Sequence, residues 1–229
     1  MTSFSSIKSW PISERPRERL FREGASALSD AELLAVLFRS GVKGKDAIAL
    51  AREISGRFGG LRGLLSAGFS DLSSVKGLGE AKIAALLAVS EISKRQLRES
   101  MNGKDILRDP DSVKAYLTAA LRDKKREVFK VLLLDKGNRI IAELDLFEGT
   151  IDETMVHPRE IVRAALERHA TAVILVHNHP SGRTEPSQED LKITRKITSA
   201  CATVSVRVLD HMIVGDNACF SFAENGLLP

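Results

Sequence analysis

Residues 171–176, Thr-Ala-Val-Ile-Leu-Val, are an unbroken run of β-branched and apolar side chains. A strand with no polar face to show to water must be buried on both sides. Two further β-rich runs, 128–134 and 140–146, flank Lys136-Gly137-Asn138, the mark of a hairpin. Between them and the buried run, Pro158 opens a helix as its first-turn proline, and the helix ends near Arg168 or His169. A helix over 186–200 and strands over 203–209, 212–214 and 219–222 complete an α/β domain. Val113, Tyr116, Leu117, Ala120 and Leu121 recur at helical spacing ahead of it, and the basic run Lys124-Lys125-Arg126 reads as the end of that helix.

The first hundred residues have a different texture. Ser29-Asp30-Ala31-Glu32 runs into Leu33, Leu34, Val36 and Leu37, a capped start before an apolar face. Gly41 and Gly44 break the pattern before a second amphipathic stretch over 46–58. A third pair, 71–75 and 80–98, hinges on Lys76-Gly77-Leu78-Gly79. No β-type alternation interrupts this part, so it reads as an all-helical domain over residues 1–100. Asn102-Gly103 and Asp109-Pro110 mark a turn or linker, and the α/β domain spans 107–229.

Charge divides the same way. Residues 1–126 carry 23 Lys and Arg against 15 Asp and Glu, a net of +8, and residues 127–229 carry 11 against 15, a net of −4. A basic front and an acidic back suggest modules with different partners, and the basic half permits nucleic acid without demanding it. No apolar run approaches the ~18 residues of a membrane span, and the first 22 residues are polar and charged. Cys201 and Cys219 form no Cys-x-x-Cys pattern, so neither a disulfide framework nor a thiolate site is indicated. The expectation is a cytoplasmic protein with no membrane partner.

The chemistry concentrates where the buried strand ends. His177-Asn178-His179-Pro180-Ser181-Gly182 is followed by Pro186-Ser187-Gln188-Glu189-Asp190. Strand side chains alternate, so His177 and His179 share one face while Asn178 points to the other. Pro180 and Gly182 turn the chain, and Asp190 falls in the first turn of the next helix, where the dipole favours a carboxylate. Three N/O donors with a fourth position for water are the make-up of a catalytic rather than a structural zinc site, although iron or manganese also accept such ligands. Taken alone, Ser187-x-x-Asp190 also reads as a helix cap, and His-x-His as two satisfied polar side chains at a strand end.

His177-x-His179, seven residues, Ser187, two residues, Asp190 resembles the JAMM (MPN+) metalloprotease signature, and its surroundings resemble the bacterial RadC family of JAMM proteins. Arg126-Glu127-Val128-Phe129, Pro158-Arg159-Glu160, Asp210-His211-Met212-Ile213 and, near the start, Glu14-Arg15-Pro16-Arg17-Glu18 are similar to that family too. The resemblance implies a three-layer, deaminase-like α/β fold with a mixed sheet. It also implies that His177, His179 and Asp190 hold one Zn²⁺ per chain. Glu127 would be the base that takes and returns a proton, and Ser187 would hydrogen-bond the oxyanion or the attacking water. Glu127 lies fifty residues upstream, so only the resemblance links it to the site. His211 reads as a supporting residue, and His157 and His169 as surface residues.

Two readings fail on ligands. In HNH nucleases the named residues are dispersed rather than consecutive, and zinc deaminases need His-x-Glu with Pro-Cys-x-x-Cys, absent here. In the helical half, Val75-Lys76-Gly77-Leu78-Gly79 followed by Ala81 and Lys82 resembles a helix-hairpin-helix. Two glycines allow a tight turn that offers backbone N–H groups to a phosphate, with Lys76 and Lys82 adding charge. Such hairpins also serve to pack helices or dock proteins. The expected function is zinc-dependent hydrolysis of a peptide or isopeptide bond in a peptide or protein substrate, with DNA as a partner of Lys76, Gly77, Gly79 and Lys82 and a repair link. The alternatives are a metal-dependent nuclease and a non-catalytic DNA- or protein-binding adaptor.

Overall fold

The computed structural model describes residues 7–149, 156–216 and 218–229. Its contacts divide the chain into two compact units, Met1–Ser93 and Lys94–Pro229.

The first unit is helical. Its helices are α1 (Pro16–Glu23), α2 (Asp30–Phe38), α3 (Ala47–Arg57), α4 (Leu61–Ser66), α5 (Phe69–Ser73) and the start of α6 (Glu80–Ser100). α2 opens on the expected capping box: Ser29 Oγ accepts from the Glu32 N–H, and the Glu32 carboxylate accepts from the Ser29 N–H. Asp46 caps α3 by accepting from Ala49 N–H. Leu34, Phe38, Leu50, Ile54, Leu64, Leu72, Ile83 and Leu86 form the core. α1 and α4 were not singled out by periodicity. They are short, and α1 turns Phe21 out to solvent.

The second unit is a mixed five-stranded sheet between helices. After α7 (Pro110–Leu121) come β1 (Glu127–Leu134), β2 (Ile140–Gly149), α8 (Pro158–Glu167), β3 (Ala172–Asn178), α9 (Gln188–Ala202), β4 (Arg207–Val214) and β5 (Cys219–Ser221). The spatial order is β2-β1-β3-β4-β5, and only β3 and β4 run parallel, joined across α9. Side-chain alternation builds two cores. Val128, Leu132, Leu134, Ile174 and Val176 meet Val113, Leu117 and Leu121 of α7. Phe129, Val131, Leu133, Val173 and Leu175 meet Ile161 and Ala165 of α8 and Ile193 and Ile197 of α9. β3 is buried at every position, as its composition demanded.

Two expectations need correction. The strands expected over 203–209 and 212–214 are one strand, β4, and residues 203–205 end α9 in a tight turn with Ser205 at a φ of 58°. Asp210 and His211 do not interrupt β4, because their side chains find partners inside the fold. A register shift leaves Leu209 as the extra residue of a bulge. The basic run Lys124-Lys125-Arg126 is not a helix end: α7 stops at Leu121, and the run leads into β1. The turn expected near 100–110 is present, with Gly103 at a φ of 70°, and it is packed, with Met101 and Ile106 buried in the α7-side core. Among the described residues, no helix is long and apolar enough to cross a membrane.

Candidate metal centre

β3 delivers both histidines to one point. His177 is the last residue of β3 paired with β1, and His179 is held just beyond the strand by its N–H to Val214 O, 3.0 Å. Gly182, at a φ of 79° that only glycine adopts without strain, then turns the chain. A Cβ there would also stand 3.0 Å from Asp216 Cβ. The chain crosses to α9, where Ser187 is the N-cap. Its Oγ accepts from Asp190 N–H at 3.1 Å and donates to Asp190 Oδ2 at 2.7 Å, and its N–H donates to the same oxygen at 2.8 Å. The helix cap and the ligand motif are therefore one structure, since the cap aims the carboxylate.

The donors converge. His177 Nε2 lies 3.0 Å from His179 Nε2 and 3.1 Å from Asp190 Oδ1, and His179 Nε2 lies 3.5 Å from Asp190 Oδ2. Tetrahedral zinc with bonds near 2.05 Å would set its donors about 3.3 Å apart. The three residues could hold one metal ion, and they are the one such cluster among the described residues.

The protons can be assigned by following the hydrogen bonds outward. Asp190 O only accepts, so Thr194 Oγ1 spends its single proton there. Thr194 must then accept from His211 Nδ1, 2.6 Å away, which leaves His211 Nε2 as a bare acceptor. His177 Nδ1, at 2.9 Å, therefore donates to it, and His177 Nε2 carries a lone pair. His179 Nδ1 donates to Arg183 O at 3.1 Å, so in the neutral ring its Nε2 is bare as well. Two lone pairs and a carboxylate face one another, which suits a cation.

Electrostatics agree. Full burial, reinforced by His177, holds the His211 imidazole well below its ordinary pKa, so the ring stays neutral. Burial pushes the Asp190 carboxyl up, but hydrogen bonds that the His177 and His179 rings donate when an Nε2 is protonated outweigh it and hold the group far below the carboxylate range, so a proton stands where a cation would. The hydrogen bond that protonated His179 donates to Asp190 raises the pKa of His179, against the opposing effect of burial.

Strand register places Glu127 near the donors. Phe129 pairs with His177 across the antiparallel β1–β3 ladder, so register carries Glu127 toward His179 on the same face. Its charge is near enough to favour protonated His179. An open cleft of about 420 Å³, lined by Lys125, Arg126, Glu127, Gly149 and Pro180, adjoins it. His177 is wholly buried, whereas His179, next in the chain to Pro180 of this cleft, is partly exposed. Ser187 Oγ is committed to Asp190 Oδ2, so its first task here is to orient the ligand.

Residues 107–227 match the RadC-like JAB domain, and residues 7–84 match the UPF0758 N-terminal model. The chain belongs to the RadC family. It is 55% identical to a UPF0758 protein of Thioalkalivibrio sulfidiphilus over 97% of this chain and 99% of that relative. UPF0758 proteins of Shewanella loihica, 51% identical over 96% of this chain and 98% of the relative, and Aeromonas hydrophila, 52% over 97% and 100%, are similar throughout. The JAB domain is a metal-dependent hydrolase fold, and this RadC-family member carries the His-His-Asp triad for it. His211, read as a supporting residue, does support His177, and His157 and His169 are exposed.

The hairpin residues lie in the other unit. Lys76 is exposed and Lys82 half-buried. Gly77 adopts a φ of 100°, and a Cβ on it would stand 2.9 Å from Leu50 Cδ1, so it packs the turn onto α3. A Cβ on Gly79 would meet nothing within 4 Å. Sequence reasoning missed Thr194, whose one signal was its place four residues after Asp190 on α9. It placed Asn178 on the opposite face of β3 without giving it a task.

Proposed function

We propose that the JAB domain is a zinc-dependent hydrolase of peptide or isopeptide bonds. The observation that carries this reading is the convergence of two bare imidazole nitrogens and a carboxylate, with every outward-facing ring nitrogen tied to a fixed partner. Borderline-soft zinc suits two imidazoles and one carboxylate, and three protein ligands leave a position open. When bound, the ion supplies Lewis acidity, which lowers the pKa of water to about 7 and polarises a carbonyl.

The chain's own residues do the rest. His177, His179 and Asp190 would hold the ion. Glu127, at the cleft rim, takes the proton from water and returns it to the leaving amine. Ser187 orients Asp190 through the cap, and its hydroxyl reaches an oxyanion only by releasing Oδ2. The cleft at Glu127 gives a substrate chain access from the side on which His179 is partly exposed. A single cluster of metal-binding type among the described residues favours this over a two-metal nuclease.

The test is metal content and turnover together. Wild type should purify with one zinc per chain and cleave a peptide or isopeptide substrate in a chelator-sensitive way, and labelled DNA should stay intact. His179→Ala should lose both metal and cleavage. Stoichiometric zinc retained by H179A, or chelator-sensitive cleavage of DNA alone, would overturn the proposal.

A further inference from the structure

Asn178 sits between the two ligand histidines but points to the α7 side of β3, and it is wholly buried. Its Oδ1 accepts from Val128 N–H at 2.8 Å. Its Nδ2 donates to Arg126 O at 3.1 Å and Lys124 O at 3.4 Å. The orientation of the amide is unambiguous, because an N–H can only donate and a carbonyl can only accept. The three partners come from the opening of β1, where the backbone ladder with β3, which runs between Phe129↔His177 and Leu134↔Ala172, has stopped. The side-chain amide takes over there.

The choice of partners has a consequence for one residue. Arg126 C=O belongs to the peptide plane that precedes Glu127 Cα, and Val128 N–H belongs to the plane that follows it. One amide thus grips both planes flanking Glu127. Those planes define its φ and ψ, and with them the direction of its Cα–Cβ bond.

We propose that Asn178 is a positioning residue for Glu127. It aims the carboxylate at the metal side of the sheet while the histidines on either side of it bind the ion. The inference rests on the hydrolase reading above. It gives the His-Asn-His sequence a division of labour: outer residues for the metal and the middle residue for the base, on opposite faces of one strand. A group misplaced by about 1 Å can cost on the order of 100-fold in turnover.

The experiment compares wild type, Asn178→Ala and, should that variant not fold, Asn178→Ser. Zinc affinity is followed by calorimetry, amide exchange at Val128 by NMR, and kcat and KM on a peptide substrate. The proposal expects Val128 exchange to rise at least about tenfold and zinc affinity to stay within about threefold. It expects kcat to fall roughly 10–100-fold with KM little changed. An unchanged kcat, unchanged exchange at Val128, or zinc affinity falling in step with kcat would overturn it. Zinc-loaded wild type without chelator-sensitive turnover would instead refute the hydrolase reading, and the exchange and affinity arms would still judge the clamp.

Discussion

Replacing His211 with Phe tests the proton assignment directly. The ring keeps its place: Phe222 stacks on His211 with centroids 4.7 Å apart, and Phe129 meets it edge-on at 5.7 Å. Phe makes neither of the two hydrogen bonds, to Thr194 and from His177. Leaving the buried His177 Nδ1–H without an acceptor costs about 1–3 kcal/mol, and the Thr194 bond adds about 1 kcal/mol. His177 has an escape, however. Its proton can move to Nε2, where Asp190 Oδ1 at 3.1 Å accepts it. That shift recovers stability but occupies the lone pair that a metal needs. His211→Phe should therefore lose about 1–2 kcal/mol of metal-free stability in urea unfolding, and zinc affinity by calorimetry should weaken about 10–100-fold. His211→Gln, which can both donate and accept, should recover part of the affinity. Zinc binding by H211F within about threefold of wild type would refute the tautomer argument.

Two further substitutions probe the fold. Gly77→Ala forces a β-carbon onto a φ of 100° against buried Leu50 and should cost about 1–3 kcal/mol. Gly79→Ala, which meets nothing, should stay within about 0.5 kcal/mol, and equal losses in thermal melts would refute this account of the turn. Asp210 offers a pH test. Burial raises its carboxyl above the ordinary value, despite hydrogen bonds from Ser221 Oγ and the N–H groups of Ala223 and His211. A folded-state pKa above the unfolded one gives stability that is present at low pH and lost as pH rises through the folded value. The stability of wild type minus that of Asp210→Asn should fall as pH rises above the ordinary carboxylate value of about 4, and a difference that grows with pH would contradict it.

Much of the second unit was legible because burial is written in composition. The run 171–176 reads as a strand covered on both faces, and Ser187-x-x-Asp190 as the opening of a helix. What stayed hidden lay in pairing. Register brings Glu127 to His179, and no local spacing encodes it. β4 was divided wrongly because Asp210-His211 look like a break when their partners, Ser221, Thr194 and His177, are unknown. Lys124-Lys125-Arg126 suggested a helix end for a similar reason, since two of its three carbonyls answer to an asparagine more than fifty residues away. The helical unit was legible by its cap at Ser29 and its amphipathic stretch over 46–58, and illegible where short helices carry little apolar periodicity.

The two faces of β3 explain why a metal centre can stand at the edge of an apolar sheet. Polar groups brought inside are tolerated only when each finds a partner. On one face the buried imidazole of His177 passes its Nδ1 proton to His211, which passes its own to Thr194, so the chain of donors ends on a helix carbonyl. On the other face Asn178 spends its amide on three backbone groups that the ladder had left without strand partners. The first network leaves the two Nε2 atoms facing Asp190, and the second holds the backbone on either side of Glu127, which lines the cleft. The polar residues that close β3 thus satisfy the fold in one direction and leave unsatisfied lone pairs in the other. A structural cluster of the same residues would be expected to spend those lone pairs internally, which is the physical ground for reading this one as a site for a cation.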